Sequence, residues 1–234
     1  MARDDMFEKT LAIVWAGGVG SRLNPLTAER AKPAVPFGGR YRIIDFVLSN
    51  CLHSGLRRVL VLTQYKSHSL QKHLRDGWSI YNSELGEYIT MVPAQMRAGE
   101  RWYDGTADAV YQNLYLVKRS GADWVVVLMG DHIYRMDYAA MVRNHIEKGA
   151  DLTVACLETD KNSAQRYGLI EVDAEQRVVS AASPNAAVSP ASRDTALVSM
   201  GVYVFNRRIL EDALIQDHAG GQTSHDFARD ILPR

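Results

Sequence analysis

The chain has 234 residues, 47% of them hydrophobic, and 27 Lys plus Arg balance 27 Asp plus Glu. This is enough apolar content to bury a full core in one large domain, which excludes a disordered or fibrous chain. The balanced charge leaves no overall field to attract DNA, RNA or an acidic membrane surface, so neither nucleic acid nor membrane is expected as a partner.

Met1 to Lys9 carries charges where a secretion signal needs an apolar stretch, and no apolar run approaches the roughly 18 residues of a membrane helix, so a cytoplasmic location is expected. The first apolar run, Leu11 to Trp15, reads as a buried strand. After loops around Pro25, Pro33, Pro36, Gly38 and Gly39, Ile44 to Ser54 spaces Ile44, Val47, Leu48, Cys51 and Leu52 as one helix face, with Gly55 as its stop. Arg57 to Thr63 predicts the next strand and Ser67 to Leu74 a short polar helix. Cys51 and Cys156 each sit in an apolar stretch and are expected to be buried, reduced thiols.

Tyr88 to Val92 reads as a short strand, followed by a polar and aromatic loop from Pro93 to Gly105 that is long enough to be functional. Thr106 is expected to cap a helix running to about Arg119, with Gly121 beyond its end. Trp124 to Met129 is an uninterrupted apolar run, as a strand buried on both faces requires. Asp137 caps the next helix, ending near Gly149, and Leu152 to Leu157 gives another strand. Gly168 to Val172 and Arg177 to Ala181, only four residues apart, predict an antiparallel hairpin. Ser183 to Ser192 reads as a loop, Val198 to Phe205 as a strand and Arg208 to Ile215 as a helix, with no terminal element after Asp230-Ile-Leu. The alternation predicts an α/β fold with a mainly parallel sheet and helices on both faces.

Gly17-Gly18-Val19-Gly20-Ser21-Arg22-Leu23 directly follows the first strand. Glycines there let backbone N–H groups approach phosphate oxygens, although a glycine-rich turn also serves any tight strand-to-helix connection. The run is not a P-loop, since no Gly-Lys-Ser/Thr follows, and Leu23 stands where the dinucleotide fingerprint needs its third glycine. Arg22 lies just past the loop, and Lys32 lies among prolines that restrain its backbone, so two cations could meet a triphosphate. Taken singly, each is more often an ordinary surface charge. Asp131 follows the most apolar strand, at the sheet edge where ligands bind and a carboxylate can hold Mg²⁺. A helix cap is the plainer role for such an aspartate, but Asp137 is better placed as the cap. His132 reads as structural. His68, His73 and His145 lie on expected helices without a ligand partner at i+4, so no zinc site is expected.

Several longer stretches occur in order: Trp15-Ala-Gly-Gly-Val-Gly-Ser-Arg-Leu, Ala31-Lys-Pro-Ala-Val-Pro-Phe-Gly-Gly-Arg-Tyr-Arg-Ile-Ile-Asp-Phe, Trp102-Tyr-Asp-Gly-Thr-Ala-Asp-Ala-Val, Gly130-Asp-His-Ile-Tyr and Ser224-His-Asp-Phe. Together they resemble bacterial glucose-1-phosphate adenylyltransferase, or ADP-glucose pyrophosphorylase, over nearly the whole chain. The resemblance implies a Rossmann-like sugar nucleotidyltransferase domain spanning residues 1–234 and truncated at its C-terminal end, without the family's left-handed β-helix. It also implies the joining of ATP and glucose 1-phosphate, with Mg²⁺, to give ADP-glucose and pyrophosphate for glycogen synthesis. The triphosphate would lie on Gly17, Gly18 and Gly20 with Arg22 and Lys32, the adenine near Gln95, Gly105 and Thr106, and the metal on Asp131. Tyr103, Gly168, Ser199, Tyr203 and Asp226 match positions lining the glucose 1-phosphate pocket. The mechanism implied is direct displacement, with a sugar-phosphate oxygen attacking the α-phosphorus. A homo- or hetero-oligomer with full-length family subunits is a further implication.

The chain departs from the family's pattern at several places. Val19 replaces a common arginine, Asp104 replaces the arginine of a Trp-Tyr-Arg-Gly motif, and Ser180-Ala-Ala-Ser-Pro-Asn stands where the family reads Val-Glu-Lys-Pro. The chain also ends before the family segment whose aspartate is the second metal ligand. Each lost charge-stabilising donor can cost on the order of 3 kcal/mol in the transition state, so weakened turnover is expected. The alternatives are a non-catalytic, nucleotide-binding regulatory subunit and a truncated, inactive product.

Overall fold

The computed structural model describes residues 3–95, 102–160, 164, 167–182, 195–221 and 223–233. Helix α1 (Arg3–Glu8) leads into β1 (Thr10–Trp15), all but the last residue of which is buried. β4 (Arg58–Thr63), β5 (Tyr88–Pro93) and β6 (Trp124–Met129) join β1 in a parallel run ordered β5-β4-β1-β6. The apolar runs alternate across this sheet. Ala12, Val14, Val59, Val61, Val126 and Leu128 face one core, while Leu11, Ile13, Leu60, Leu62, Val125 and Val127 face the other. Strands buried on both faces need no polar side, which is why they appear as unbroken apolar stretches in the sequence.

The first core is covered by α1, α2 (Ile43–His53), α3 (His68–Gly77) and α6 (Tyr138–Glu147). The second is covered by α4 (Thr106–Tyr111), α5 (Leu114–Ser120) and α7 (Arg207–Ala219), together with a π-helical turn, Phe227–Ile231. A two-stranded ribbon, β2 (Pro36–Phe37) with β3 (Tyr41–Arg42), forms within the proline and glycine loops. Helix α2 stops as expected, with Gly55 at φ +75° beyond its last turn.

β10 (Thr195–Asn206) is longer than its apolar segment suggested, and it organises the rest of the sheet. One edge of β10 pairs antiparallel with β6 through Val202–Asn206 and, further back, with β8 (Leu169–Val172) through Leu197 and Val198. The other edge pairs with β7 (Leu152–Asp160). β8 and β9 (Val178–Ala182) form the expected antiparallel hairpin. Between its β6 and β8 partners, β10 bulges at Ser199–Tyr203 around Gly201, which has φ +70°. The edge of β10 is therefore open at the bulge, beside the carboxyl end of β6.

The expected helix from Thr106 to Arg119 is two helices. Asn113, at φ −110° and ψ 13°, interrupts it, and its side-chain amide donates to Ala109 O (2.8 Å) and Tyr103 Oη (2.9 Å). A local side-chain bond to the backbone competes with the helix at this point. Thr106 is the first helical residue rather than the cap: Gly105 holds the cap position, and the threonine hydroxyl is directed at Asp226. Cys51 is fully buried, whereas Cys156 is only partly so; both are free thiols. The expected loops meet segments 96–101 and 183–194, which lie outside the described residues, as do Ser183, Pro184 and Asn185.

Candidate active site

The turn after β1 is set by contact. Gly17 lies under the Trp15 ring, where an added Cβ would stand 2.2 Å from a ring carbon, and Gly20 adopts φ +68° with Lys32 Cβ 2.8 Å from its own missing Cβ. Gly18 has open space around it, and Val19 beside it is 55% exposed. Thr27 Oγ1 donates to Gly20 O (2.9 Å) and closes the loop behind it. Gly17 and Gly20 thus permit a close packing of the turn that any side chain at either position would prevent.

Lys32 leaves a 3₁₀ turn, Lys32–Ala34, whose Pro33 and Ala34 are buried. Its ammonium donates to Asp131 Oδ2 at 2.6 Å across 99 residues of sequence, with the two side chains 29% and 31% exposed. Asp131 is placed by β6: Gly130 N donates to Trp15 O (2.8 Å), so the end of β6 is bonded to the start of the glycine turn. His132 Nε2 lies 3.5 Å from the other Asp131 oxygen. The β10 bulge closes on the same place, since a Cβ on Gly201 would stand 2.8 Å from Met129 Cγ and 3.6 Å from His132 Cε1. Arg22 is exposed in the 3₁₀ turn Ser21–Leu23 and forms no ion pair among the described residues.

A second cluster lies at the start of α4. Gly105 is extended, and an added Cβ would meet the carbonyl oxygens of His225 and Ser224 at 2.2 and 2.4 Å. Ala107 N donates to His225 O (2.7 Å), Thr106 Oγ1 to Asp226 Oδ2 (3.1 Å), and Phe227 N to Thr106 Oγ1 (3.1 Å). The other Asp226 oxygen accepts from Ala228 N and Arg229 N and caps the π-helical turn.

Tyr203 and Ser199 share a hydrogen bond of 3.0 Å on β10. Tyr203 is 1% exposed and stacks on Phe227 (5.6 Å), and burial pushes its phenol up to about 12. Gly168 is buried, accepts from Ser199 N (2.9 Å) and would carry a Cβ 3.6 Å from that of Ala228. Tyr103 is also buried. Its ring meets Trp15 edge-on at 5.8 Å, its backbone is bracketed by the Gln64 side chain, and burial raises its phenol. Gln95 is exposed just past β5.

The structure therefore draws the residues singled out in the sequence into two clusters. Gly17, Gly20, Lys32 and Asp131 form one; Gly105, Thr106, Gly168, Ser199, Tyr203 and Asp226 form the other, with Tyr103 packed beside Trp15 under the glycine turn. Arg22 and Gln95 have no bond into either cluster among the described residues. Sequence reasoning missed Gln64 and Asn113, which hold Tyr103, and His225. It also missed Gly201, although a glycine inside a strand pattern signals a bulge. A groove of about 910 Å³ between α2 and the segment before α6, lined by Tyr41, Phe46, Asn50 and Tyr134 among others, contains none of these residues. Among the described residues, no three His, Cys, Asp or Glu side chains converge as a metal cage, and no helix is long and apolar enough to cross a membrane.

Parallel strands flanked by helices, with a glycine turn and a carboxylate at their carboxyl ends, define an α/β domain of the open-sheet class that binds ligands at this edge. The chain belongs to the nucleotidyl transferase family, whose sequence model matches residues 11–234. It is 58% identical over 229 residues to glucose-1-phosphate adenylyltransferase 2 of Vibrio cholerae, covering 97% of this chain and 56% of that protein. Against glucose-1-phosphate adenylyltransferase of Paraburkholderia phytofirmans the identity is 53% over 234 residues, covering 99% of this chain and 56% of that protein. The chain spans slightly more than half the length of the curated relatives it matches.

Proposed function

We propose that residues 1–234 act as one nucleotidyltransferase catalytic domain that transfers adenylyl from ATP to glucose 1-phosphate, giving ADP-glucose and pyrophosphate for glycogen synthesis. The observation that carries this reading is the 2.6 Å pair of Lys32 and Asp131 at the carboxyl ends of β1 and β6, directly against the glycine turn. A phosphate chain laid on Gly17, Gly18 and Gly20 would meet the exposed backbone at Gly18, the Lys32 ammonium and Arg22. Gln95, Gly105 and Thr106 are assigned to the adenine. Tyr103, Gly168, Ser199, Tyr203 and Asp226 are assigned to the sugar phosphate, Tyr103 and Tyr203 as buried supports rather than exposed donors.

Asp131 suits Mg²⁺. It offers one hard carboxylate oxygen pair at an open edge, and a small divalent ion that retains water takes its remaining ligands from substrate phosphates rather than from a protein cage. Bound there, Mg²⁺ would neutralise charge on the phosphates during displacement. The residues of this chain orient the reactants. Lys32 exchanges its carboxylate partner for a phosphate, the β10 bulge directs Ser199 toward the sugar side, and the bond from Thr106 to Asp226 ties the residue assigned to the adenine to one assigned to the sugar phosphate.

Turnover is expected to be weak, because Val19 contributes no charge to the loop and Ala182 and Ser183 contribute none to the sugar side. Calorimetry with Mg·ATP tests the nucleotide half, and absence of binding to the folded chain would refute it. Pyrophosphate release with glucose 1-phosphate tests the reaction, and rates equal to those of ordinary family members would refute the weakening. ATP binding without any turnover would instead mark a nucleotide-binding regulatory subunit. ATP as substrate and two free thiols suit a cytoplasmic enzyme.

A further inference from the structure

The strap Thr223 to Asp226 is held in an unusual way. His225 has φ +50°, a left-handed conformation that a non-glycine residue keeps only when its surroundings enforce it. Two elements enforce it here. From α7, Asp217, which is 2% exposed, accepts from His225 Nδ1 at 2.6 Å, and Thr223 Oγ1 lies 2.8 Å from the same nitrogen. From α4, the Ala107 amide donates to the His225 carbonyl at 2.7 Å. The bracket is closed by stacking, with Tyr111 at the end of α4 lying 4.0 Å from the His218 ring, which in turn stacks on His225 at 5.9 Å. The next residue in the strap is Asp226, whose carboxylate takes the Thr106 hydroxyl.

We propose that Asp217 and His225 form a positioning pair that holds Asp226 in register with the start of α4 and so aligns the sugar-phosphate side of the site with the nucleotide side. The inference rests on the adenylyl-transfer reading above. A buried carboxylate bonded to Nδ1 fixes the orientation of the imidazole, and the imidazole in turn fixes the strained backbone on which Asp226 stands. Neither residue of the pair need touch a reactant for this role.

The experiment compares the parent chain with Asp217→Asn, His225→Ala and His225→Asn, each assayed well below its unfolding midpoint. Asparagine tolerates positive φ and can place an amide N–H near the Nδ1 position, so it is the conservative variant. Expected for His225→Ala and Asp217→Asn is a tenfold or greater loss of kcat/KM for glucose 1-phosphate, with the Kd for Mg·ATP changed less than twofold and with partial rescue in His225→Asn. Hydrogen exchange at the Ala107 and Phe227 amides should accelerate at least tenfold in His225→Ala and less in His225→Asn. Unchanged exchange, or accelerated exchange with unchanged kcat/KM, would overturn the proposal. A parent chain without turnover would refute the reaction assigned above, and the exchange measurement would then decide the pairing on its own.

Discussion

Replacing Lys32 with methionine separates two roles for the lysine by size of effect. The Nζ–Asp131 contact is short, 2.6 Å, but both side chains are nearly a third exposed, so solvent screens the pair. A pair so placed contributes about 0–1 kcal/mol to stability, whereas breaking a fully buried pair costs about 3–5 kcal/mol. Methionine also keeps the Cβ and Cγ atoms that pack against Gly20, at 2.8 and 3.4 Å from its added Cβ position, so the turn retains its support. One kcal/mol in a domain of this size shifts the unfolding midpoint by about 2–4 °C. A cation aimed at a phosphate chain is worth on the order of 3 kcal/mol in the transition state, roughly a hundredfold in rate. Lys32→Met should therefore unfold within about 4 °C of the parent by circular dichroism. In calorimetry it should bind Mg·ATP about tenfold or more weakly, since 1.4 kcal/mol is a factor of ten. An ATP affinity within twofold of the parent would refute the phosphate role. A midpoint lowered by more than about 10 °C would show that the lysine is mainly a structural tie.

Gly105→Ala forces a Cβ against two backbone carbonyls at 2.2 and 2.4 Å and breaks the Ala107–His225 bond. Overpacking and the lost bond together should cost about 2–4 kcal/mol in urea unfolding, and a loss under about 1 kcal/mol would contradict the close approach. His145, 1% exposed between Thr153 and Asn206, is held below its ordinary pKa of 6.5 by burial. Its neutral form is the one the fold retains, so its contribution is complete above pH 6.5 and declines as the pH falls from there toward the depressed value. His145→Gln should flatten that part of the stability profile, and an identical slope in the variant would rule the histidine out. Placing a glutamate and a lysine near Ala182 and Ser183 should raise pyrophosphate release if the missing lysine limits turnover, and an unchanged rate would place the defect elsewhere.

The architecture was legible where a local rule operates. β1, β4 and β6 are buried on both faces and so are uninterrupted apolar runs; Gly55 and Gly121 stop helices because only glycine enters positive φ without strain; Asp137 caps α6 through its side chain, which accepts from Ala140 N. The helix break at Asn113 was not legible, because its side-chain amide bonds the Tyr103 hydroxyl as well as the local Ala109 carbonyl, and the first of these partners is brought there by packing. The extent and partners of β10 were not legible either, since an apolar segment does not record which strands flank it.

The candidate site divides along the same line. The glycine turn and the carboxylate after the most apolar strand are local features, because close backbone approach demands glycine and the ends of buried strands present their next polar residue to solvent. That Lys32 meets Asp131 across 99 positions is a matter of packing alone. So are the entry of His225 O into the space where residue 105 would carry a Cβ, and the opening left by the Gly201 bulge between β6 and β8. Composition and periodicity act over a turn or two of chain, whereas these contacts depend on the order in which parallel and antiparallel strands are laid side by side.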